Sequence, residues 1–348
     1  MPFCWLTRRA TVFALLLTAC RLWASSPEAV AEAARGTALA QQGNYDLAIQ
    51  HYKTALRLDS HLPGLYLNLG LAYFKSKRFP EAAKAFEEAV RADSTNFQTR
   101  TLLGMSYYGS ANYMLAAKQL KAASELQPDN LELRYTLAQS YLWSEQYRQA
   151  IDEFRFLLSK NPDSAPVHLL LGEVLDAANR PAEAIGEFES AVKASPNEPE
   201  VHFGLGYLYW KQHRYPEACR EFEAELHGQP QHVQALTYLG DTEIRLGNQS
   251  AAQNHLRRAV ELDPKMRLAH LDLGIVLARR NESQAAVQQF QEAIRIDPSK
   301  SDAHYRLGRL WSSLGRDQEA QTEFHQVRKL ESDEAPAPLF RVTGRKEP

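Results

Sequence analysis

The chain has 348 residues, of which 44% are hydrophobic and 24% charged, with a formal net charge of -2. That balance is globular rather than disordered or membrane-embedded, and a mildly acidic chain lacks the clustered Lys and Arg that phosphate neutralisation needs, so nucleic acid is not an expected ligand. Cys4, Cys20 and Cys219, its three cysteines, give no disulfide framework.

Residues 1–9 carry Arg8 and Arg9 and no acid, and residues 10–20, ATVFALLLTAC, form an apolar run closed by small residues. This order of features reads as a secretory signal over 1–24. The run is about half the ~20 residues that a spanning helix needs. Ordinary cleavage would follow Ala24, before SSPEAV. Leu17-Thr18-Ala19-Cys20 also resembles the lipobox of bacterial lipoproteins, which implies a signal ending at residue 19 and a lipid anchor on Cys20. Both readings stay open. Either one exports the chain to the periplasm or the outer membrane and leaves membrane contact only to the signal or the lipid.

From residue 29 onward one pattern repeats. Steps of 34 from Gly36 land on Gly70, Gly104, Ala138, Gly172, Gly206, Gly240, Gly274 and Gly308. Twelve residues after each stands an alanine: Ala48, Ala82, Ala116, Ala150, Ala184, Ala218, Ala252, Ala286 and Ala320. Four further on comes a large apolar residue, from Tyr52 and Phe86 through to Phe324. Apolar residues recur at helical spacing twice per unit, as at Leu65, Leu69, Ala72 and Tyr73, then Ala82, Ala85, Phe86 and Ala89. Each unit is therefore predicted to be two amphipathic helices. Pro80, Pro181 and Pro216 suit the first turn of a second helix, where a missing N–H costs nothing. Asp263-Pro264 and Asp297-Pro298 end helices, because proline pushes the preceding residue out of the helical region. A glycine that costs about 1 kcal/mol inside a helix needs a compensating close approach, and the expected partner is the alanine twelve residues on.

These residues, in this order, resemble the tetratricopeptide repeat family. The resemblance covers nine units over 29–334 without insertion and implies an all-α fold, a right-handed α-solenoid of helix-turn-helix repeats. The first unit, with Glu32 and Arg35 at apolar positions, and the polar last helix read as caps. Residues 335–348 are too rich in proline for another helix and are expected to be disordered, unless Leu339, Phe340 and Val342 fold back.

With signal, repeats and tail filling the chain, no catalytic domain fits, so no enzyme and no cofactor are expected. No glycine-rich phosphate loop, HExxH or CxxC occurs. His168, His202, His270 and His304 share one repeat position, but helices roughly 8 to 10 Å apart cannot bring such rings round one metal. Ordinary packing between repeats is the expectation. His213, His227 and His232 read as solvated loop residues, and Cys219 as a buried inert thiol.

In the family, positions 2, 5, 9, 12 and 13 of each unit line the concave face. Counted from Ala29, they give Phe74, Tyr108, Tyr135, Leu142, Trp143, Phe203, Tyr207 and Trp210, edged by Lys75, Lys211, Glu132, Glu173, Asp176, Glu200 and Asp241. Aromatics rimmed by charge have the composition of a binding hot spot. The resemblance thus implies a protein or peptide ligand in this groove. The carboxylate clamp of chaperone partners needs lysine at position 5 and asparagine at position 9, and neither occurs. A sugar transferase would carry an asparagine ladder at position 6, where only Asn68 fits. The expected function is a scaffold of the bacterial cell envelope serving assembly, secretion or polysaccharide export, with a polysaccharide-binding scaffold and a cytosolic co-chaperone as alternatives.

Overall fold

A computed structural model describes residues 26–333; the signal, Cys20 and the tail lie outside the described residues. Eighteen helices and no strand occur among them. They form nine pairs: α1 (Pro27–Gln41) with α2 (Tyr45–Leu58), α3 (Leu65–Lys75) with α4 (Phe79–Ala92), α5 (Phe97–Gly109) with α6 (Tyr113–Leu126), α7 (Leu131–Trp143) with α8 (Tyr147–Lys160), and α9 (Ala165–Ala177) with α10 (Pro181–Ala194). α11 (Val201–Lys211) and α12 (Tyr215–Gly228), α13 (Val233–Leu246) and α14 (Gln249–Leu262), α15 (Arg267–Arg279) and α16 (Ser283–Ile296), and α17 (Ser301–Ser313) and α18 (Asp317–Asp333) complete the series. Two compact units divide inside α8, the first ending at Glu153 and the second beginning at Phe154.

The repeating glycine meets a different partner from the one its spacing suggests. A Cβ placed on Gly70 would lie 2.6 Å from the Phe86 ring, and one on Gly274 would lie 2.6 Å from Phe290. Gly104 and Gly240 stand in the same relation to Leu120 and Leu256, again sixteen residues on. The glycine is thus a socket for the large residue at position 24, while the alanine at position 20 fills the space beside it. Every one of these alanines from Ala48 to Ala286 is fully buried. Phe324 of the last repeat is only half-buried, as a terminal unit with no following neighbour should be.

Each helix pair turns through one residue of positive φ, and these recur every 34 positions from Gly43 to Gly315. Gly43, Gly247 and Gly315 hold the left-handed conformation without a Cβ penalty, but Lys77, Ala111, Glu145, Asn179, His213 and Asn281 hold it at the other repeats. What stabilises it is the backbone. The following N–H reaches back to the carbonyl five residues earlier, as Arg78 to Tyr73 (2.9 Å) and Asn112 to Tyr107 (2.8 Å), the bond that closes a helix in the Schellman manner. At the other end of each repeat the chain leaves the second helix extended, with φ -134° at Asp263 and -142° at Asp297, each directly before its proline.

A side-chain latch adds to this frame and extends the expectation for the histidines. Their side-chain partners lie within their own repeat, on the second helix. The Nδ1 atoms of His168, His202 and His304 lie 2.6, 2.7 and 2.6 Å from the carboxylates of Glu187, Glu221 and Glu323, and His270 reaches Gln289 at 2.8 Å. His168 and His270 also use Nε2 to hold the carbonyls of Pro162 and Pro264 in the preceding loop. Arg134 does both tasks in the fourth repeat, donating to Pro128 O and to Glu153. One side chain at position 4 therefore ties loop, first helix and second helix together.

Within each unit, first helices of successive repeats touch directly, α1 with α3 and α5 with α7 in the first, and α9, α11, α13, α15 and α17 in sequence in the second. The first helices thus form a layer of their own in each unit, and their outward positions are the ones free of the core.

Two outcomes follow from this packing. Gly274→Val drives methyl groups into the Phe290 ring and should lower stability by about 1–3 kcal/mol, and Ala218→Trp should melt its helix pair; an unchanged urea midpoint in both would show that the rings move aside freely. The second concerns pH. Glu221, accepting from the His202 ring, raises that histidine above its ordinary 6.5 against the opposing effect of burial. The folded chain then binds the proton more tightly than the unfolded one, so the stabilisation is complete below pH 6.5 and fades as pH climbs through the raised value. The gap in urea midpoint between wild type and His202→Gln is expected to narrow from about pH 5.5 to about pH 8.5. A gap that widens over that range would contradict the ion pair.

Candidate functional site

The aromatic residues expected on the first-helix face fall into two clusters, one in each unit. In the first unit Phe74, at the end of α3, meets Phe79 edge-on at 5.5 Å, and Tyr108, at the end of α5, meets Tyr113 in the same way at 5.5 Å. Both contacts join the last turn of a first helix to the opening residue of its own second helix. Trp143 lies 6.3 Å from Tyr113, and the Tyr108 hydroxyl donates to Gln139 Oε1 at 3.2 Å. Phe74, Tyr108, Tyr135 and Trp143 are half-buried and Lys75 is exposed, so these five reach the surface.

In the second unit the cluster is deeper. Phe203, Tyr207 and Trp210 run along α11 and pack on Tyr238 of α13, with Tyr207 and Trp210 stacked at 5.9 Å and Trp210 edge-on to Tyr238 at 5.1 Å. Phe203 is 1% exposed, Tyr207 7%, and Leu142 in the first unit 4%. These three expected contact residues are interior: the Phe203 and Tyr207 rings, at positions 5 and 9, fill the gap between α11 and α13 instead of facing outward, and Leu142, at position 12, is buried as well. Burial, with the nearby Asp176 carboxylate, pushes the Tyr207 hydroxyl up to about 12. Trp210 remains half-buried as the outward edge of the stack, with Lys211 exposed beside it.

Most of the charged rim around Trp210 is already engaged. The indole N–H of Trp210 donates to Asp241 Oδ2 at 2.5 Å, and Arg245 Nε donates to the same oxygen at 3.0 Å. Lys211 Nζ holds both oxygens of Asp176 at 2.7 and 2.8 Å, and its ammonium stands 5.7 Å from the Tyr207 ring centre. Arg245 lies 5.6 Å from the Tyr215 ring and 6.0 Å from Trp210. The result is a fixed aromatic edge with two oriented cations, a surface preorganised for stacking and for hydrogen bonding.

His232 departs from the solvated-loop expectation. Its Nδ1 accepts from the Ala235 N–H at 3.0 Å, capping α13, and its Nε2 then carries the proton donated to Glu200 at 3.0 Å. The ring packs on Phe203 at 4.9 Å. Glu225, itself buried, accepts from the Glu200 and Phe203 N–H groups and so caps α11. His213 and His227 are exposed. Cys219 is half-buried rather than buried, and burial together with Glu223 pushes its thiol up to about 11, so it stays protonated and a poor nucleophile. No group of three or more His, Cys, Asp and Glu side chains is placed to hold a metal among the described residues, and no helix there is long and apolar enough to cross a membrane.

Position counting missed several contributors. Phe79, Tyr113 and Tyr215 open second helices, yet they floor or flank the surface; the repeated aromatic at position 17 is the signal that could have found them. Tyr238 sits at position 6, outside the counted set.

Comparison with known proteins matches this geometry. Tetratricopeptide repeat profiles match residues 36–77, 135–199, 203–252 and 239–301, and a profile for subunit 3 of the anaphase-promoting complex, cyclosome, matches 75–157. No curated protein sequence is significantly similar. Among solved structures, pilF of Pseudomonas aeruginosa is 19% identical over 59% of this chain and 93% of its own, with a TM-score of 0.52. The C-terminal part of a TPR repeat-containing protein from Cytophaga hutchinsonii is 15% identical over 68% of this chain and 98% of its own, at 0.56. The APC/C hetero-tetramer Cut9–Hcn1 is 13% identical over 88% of this chain and 74% of its own, at 0.54. At these identities the likeness speaks for the fold alone. Helix pairs in a 34-residue register, glycine sockets and the profile matches agree: this chain belongs to the tetratricopeptide repeat family, whose fold is that of a protein-interaction scaffold.

Proposed function

We propose that the chain is an exported, non-enzymatic scaffold of the bacterial cell envelope that holds a peptide or protein segment against the first helices of its repeats. The observation that carries this reading is the pair of half-buried tryptophans, Trp143 and Trp210, each supported from beneath by packed rings. A large aromatic held rigid and half in solvent gives contact area without an ordering cost, which is how interface anchors contribute 2 kcal/mol or roughly more on truncation. Export rests on residues 1–24. Lipidation of Cys20 and cleavage after Ala24 lead to different mature termini, which intact-mass measurement of the mature chain separates; an unprocessed Met1 would contradict export and favour the cytosolic alternative.

The partner surface is tested by cross-linked capture from envelope extracts with wild type and with a Trp143→Ala/Trp210→Ala variant of unchanged melting temperature. The expected result is a protein retained by wild type and lost by the variant. Equal capture by both would contradict a role for the first-helix aromatics, and capture of glycan alone would favour the polysaccharide-binding scaffold.

A further inference from the structure

At the last two repeats the first-helix face changes character. Arg279 at the end of α15 and Arg306 and Arg309 on α17 line one hollow of about 280 Å³, walled by Ile275, Ala278 and Leu310. No acidic residue lines it. Elsewhere arginines are mostly taken by carboxylates, as in Arg78–Glu81, Arg180–Glu183, Arg214–Glu217 and Arg316–Glu319. The three in the hollow are not. Among the described residues, Arg279 donates only to the Ile244 carbonyl (3.3 Å), Arg309 only to the Tyr305 hydroxyl (3.3 Å), and Arg306 has no hydrogen-bond or ion-pair partner.

The two first helices that carry these arginines hold two carboxyls, Asp272 and Asp302. Asp302 receives both Nη atoms of Arg267 at 2.7 and 3.0 Å. Asp272 is buried, and burial with the neighbouring Asp241 holds its carboxyl well above the usual range. Three guanidiniums therefore line one open hollow with no carboxylate hydrogen-bonded to them, an arrangement that attracts an anion.

We propose that this hollow binds the carboxylates of an acidic, partly apolar peptide segment of a partner protein. The proposal rests on the scaffold reading above and adds the chemistry of the partner. Guanidinium forks match carboxylate geometry, and the Ile275, Ala278 and Leu310 wall gives an apolar side chain next to the acid a surface to cover. Ligand sites for whole small molecules run from about 300 to 1,000 Å³; this hollow, open and slightly smaller, suits a short stretch of chain. A nucleic acid fits poorly, because three arginines on a chain of net charge -2 do not make the clustered basic track that successive phosphates need. The chain's own residues 335–348 are also poor occupants, since Arg341, Arg345 and Lys346 outnumber Glu347.

The test is selection of a random decapeptide display library on the full chain and on Arg306→Gln/Arg309→Gln, both of confirmed melting temperature. Wild type is expected to enrich Asp and Glu next to Leu, Ile or Phe. The best synthesised peptide should bind the variant about tenfold more weakly, and lose affinity for wild type as salt rises toward roughly 0.5 M. Peptides enriched without acidic residues and bound equally by both chains would overturn the anion hollow while leaving the scaffold reading intact, provided that Trp143→Ala/Trp210→Ala weakens them. No enrichment on wild type would overturn both. Tighter binding at Arg306 by inorganic phosphate or a single-stranded oligonucleotide than by the selected peptide would overturn the peptide assignment.

Discussion

The close approach of a backbone glycine to a large side chain sixteen residues later is the contact on which the rest of this chain depends. It sets the distance between the two helices of a pair, because Gly70 has room for nothing but the Phe86 ring and Gly274 for nothing but Phe290. With the pair fixed, the nearby alanines have no solvent-facing surface left. The glycine's intrinsic helix penalty of about 1 kcal/mol is offset by the burial of a whole phenylalanine, about 1.5–3 kcal/mol. The interior is thereby filled without using the outward positions of the first helix, and these are left to differ from repeat to repeat.

That division of labour extends to charge. A repeated arginine after the turn finds a glutamate three residues on, as in Arg78–Glu81 and Arg214–Glu217, and such exposed pairs contribute little because water and salt screen them. The position 4 latches are half-buried and carry more structural meaning, since one ring or guanidinium ties an entering loop to the second helix. Against this background of satisfied charge, the arginines of the hollow on α15 and α17, with no carboxylate partner, stand apart. Function on a repeat fold is expressed in such departures from the repeat rather than in the repeat itself.

The period, the nine helix pairs and the buried alanines were legible because they are one-dimensional: a residue type recurs at a fixed interval and helical spacing converts it to a face. Contacts that depend on how two helices rotate about each other were not. Spacing pointed Gly70 at Ala82, whereas the rotation of α4 presents Phe86 to it. The left-handed turn residue was hidden for a similar reason, since Lys77, Ala111 and Glu145 carry no composition signal and the conformation is held by a backbone bond. Position counting identified Trp143, Trp210 and Phe74 at the surface but also Leu142, which is buried, and Phe203 and Tyr207, which Tyr238 of the neighbouring first helix covers. A residue's face follows from its repeat position, but its depth follows from the size of what the next helix brings against it. The histidine partners fell between these cases: the i, i+19 spacing of His168–Glu187, His202–Glu221 and His304–Glu323 is periodic, yet a link across a turn has no helical period to reveal it.

The central claim is that binding is confined to the first helices of each unit while the second helices serve packing. Hydroxyl-radical footprinting of the full chain, free and in complex with its captured partner, tests that claim most directly. The account predicts loss of oxidation at Trp210, Trp143 and Tyr108, with Met114 and Leu115 on α6 unchanged. Protection of Met114 and Leu115 with Trp210 and Trp143 still reactive would place the partner on the second helices and contradict it.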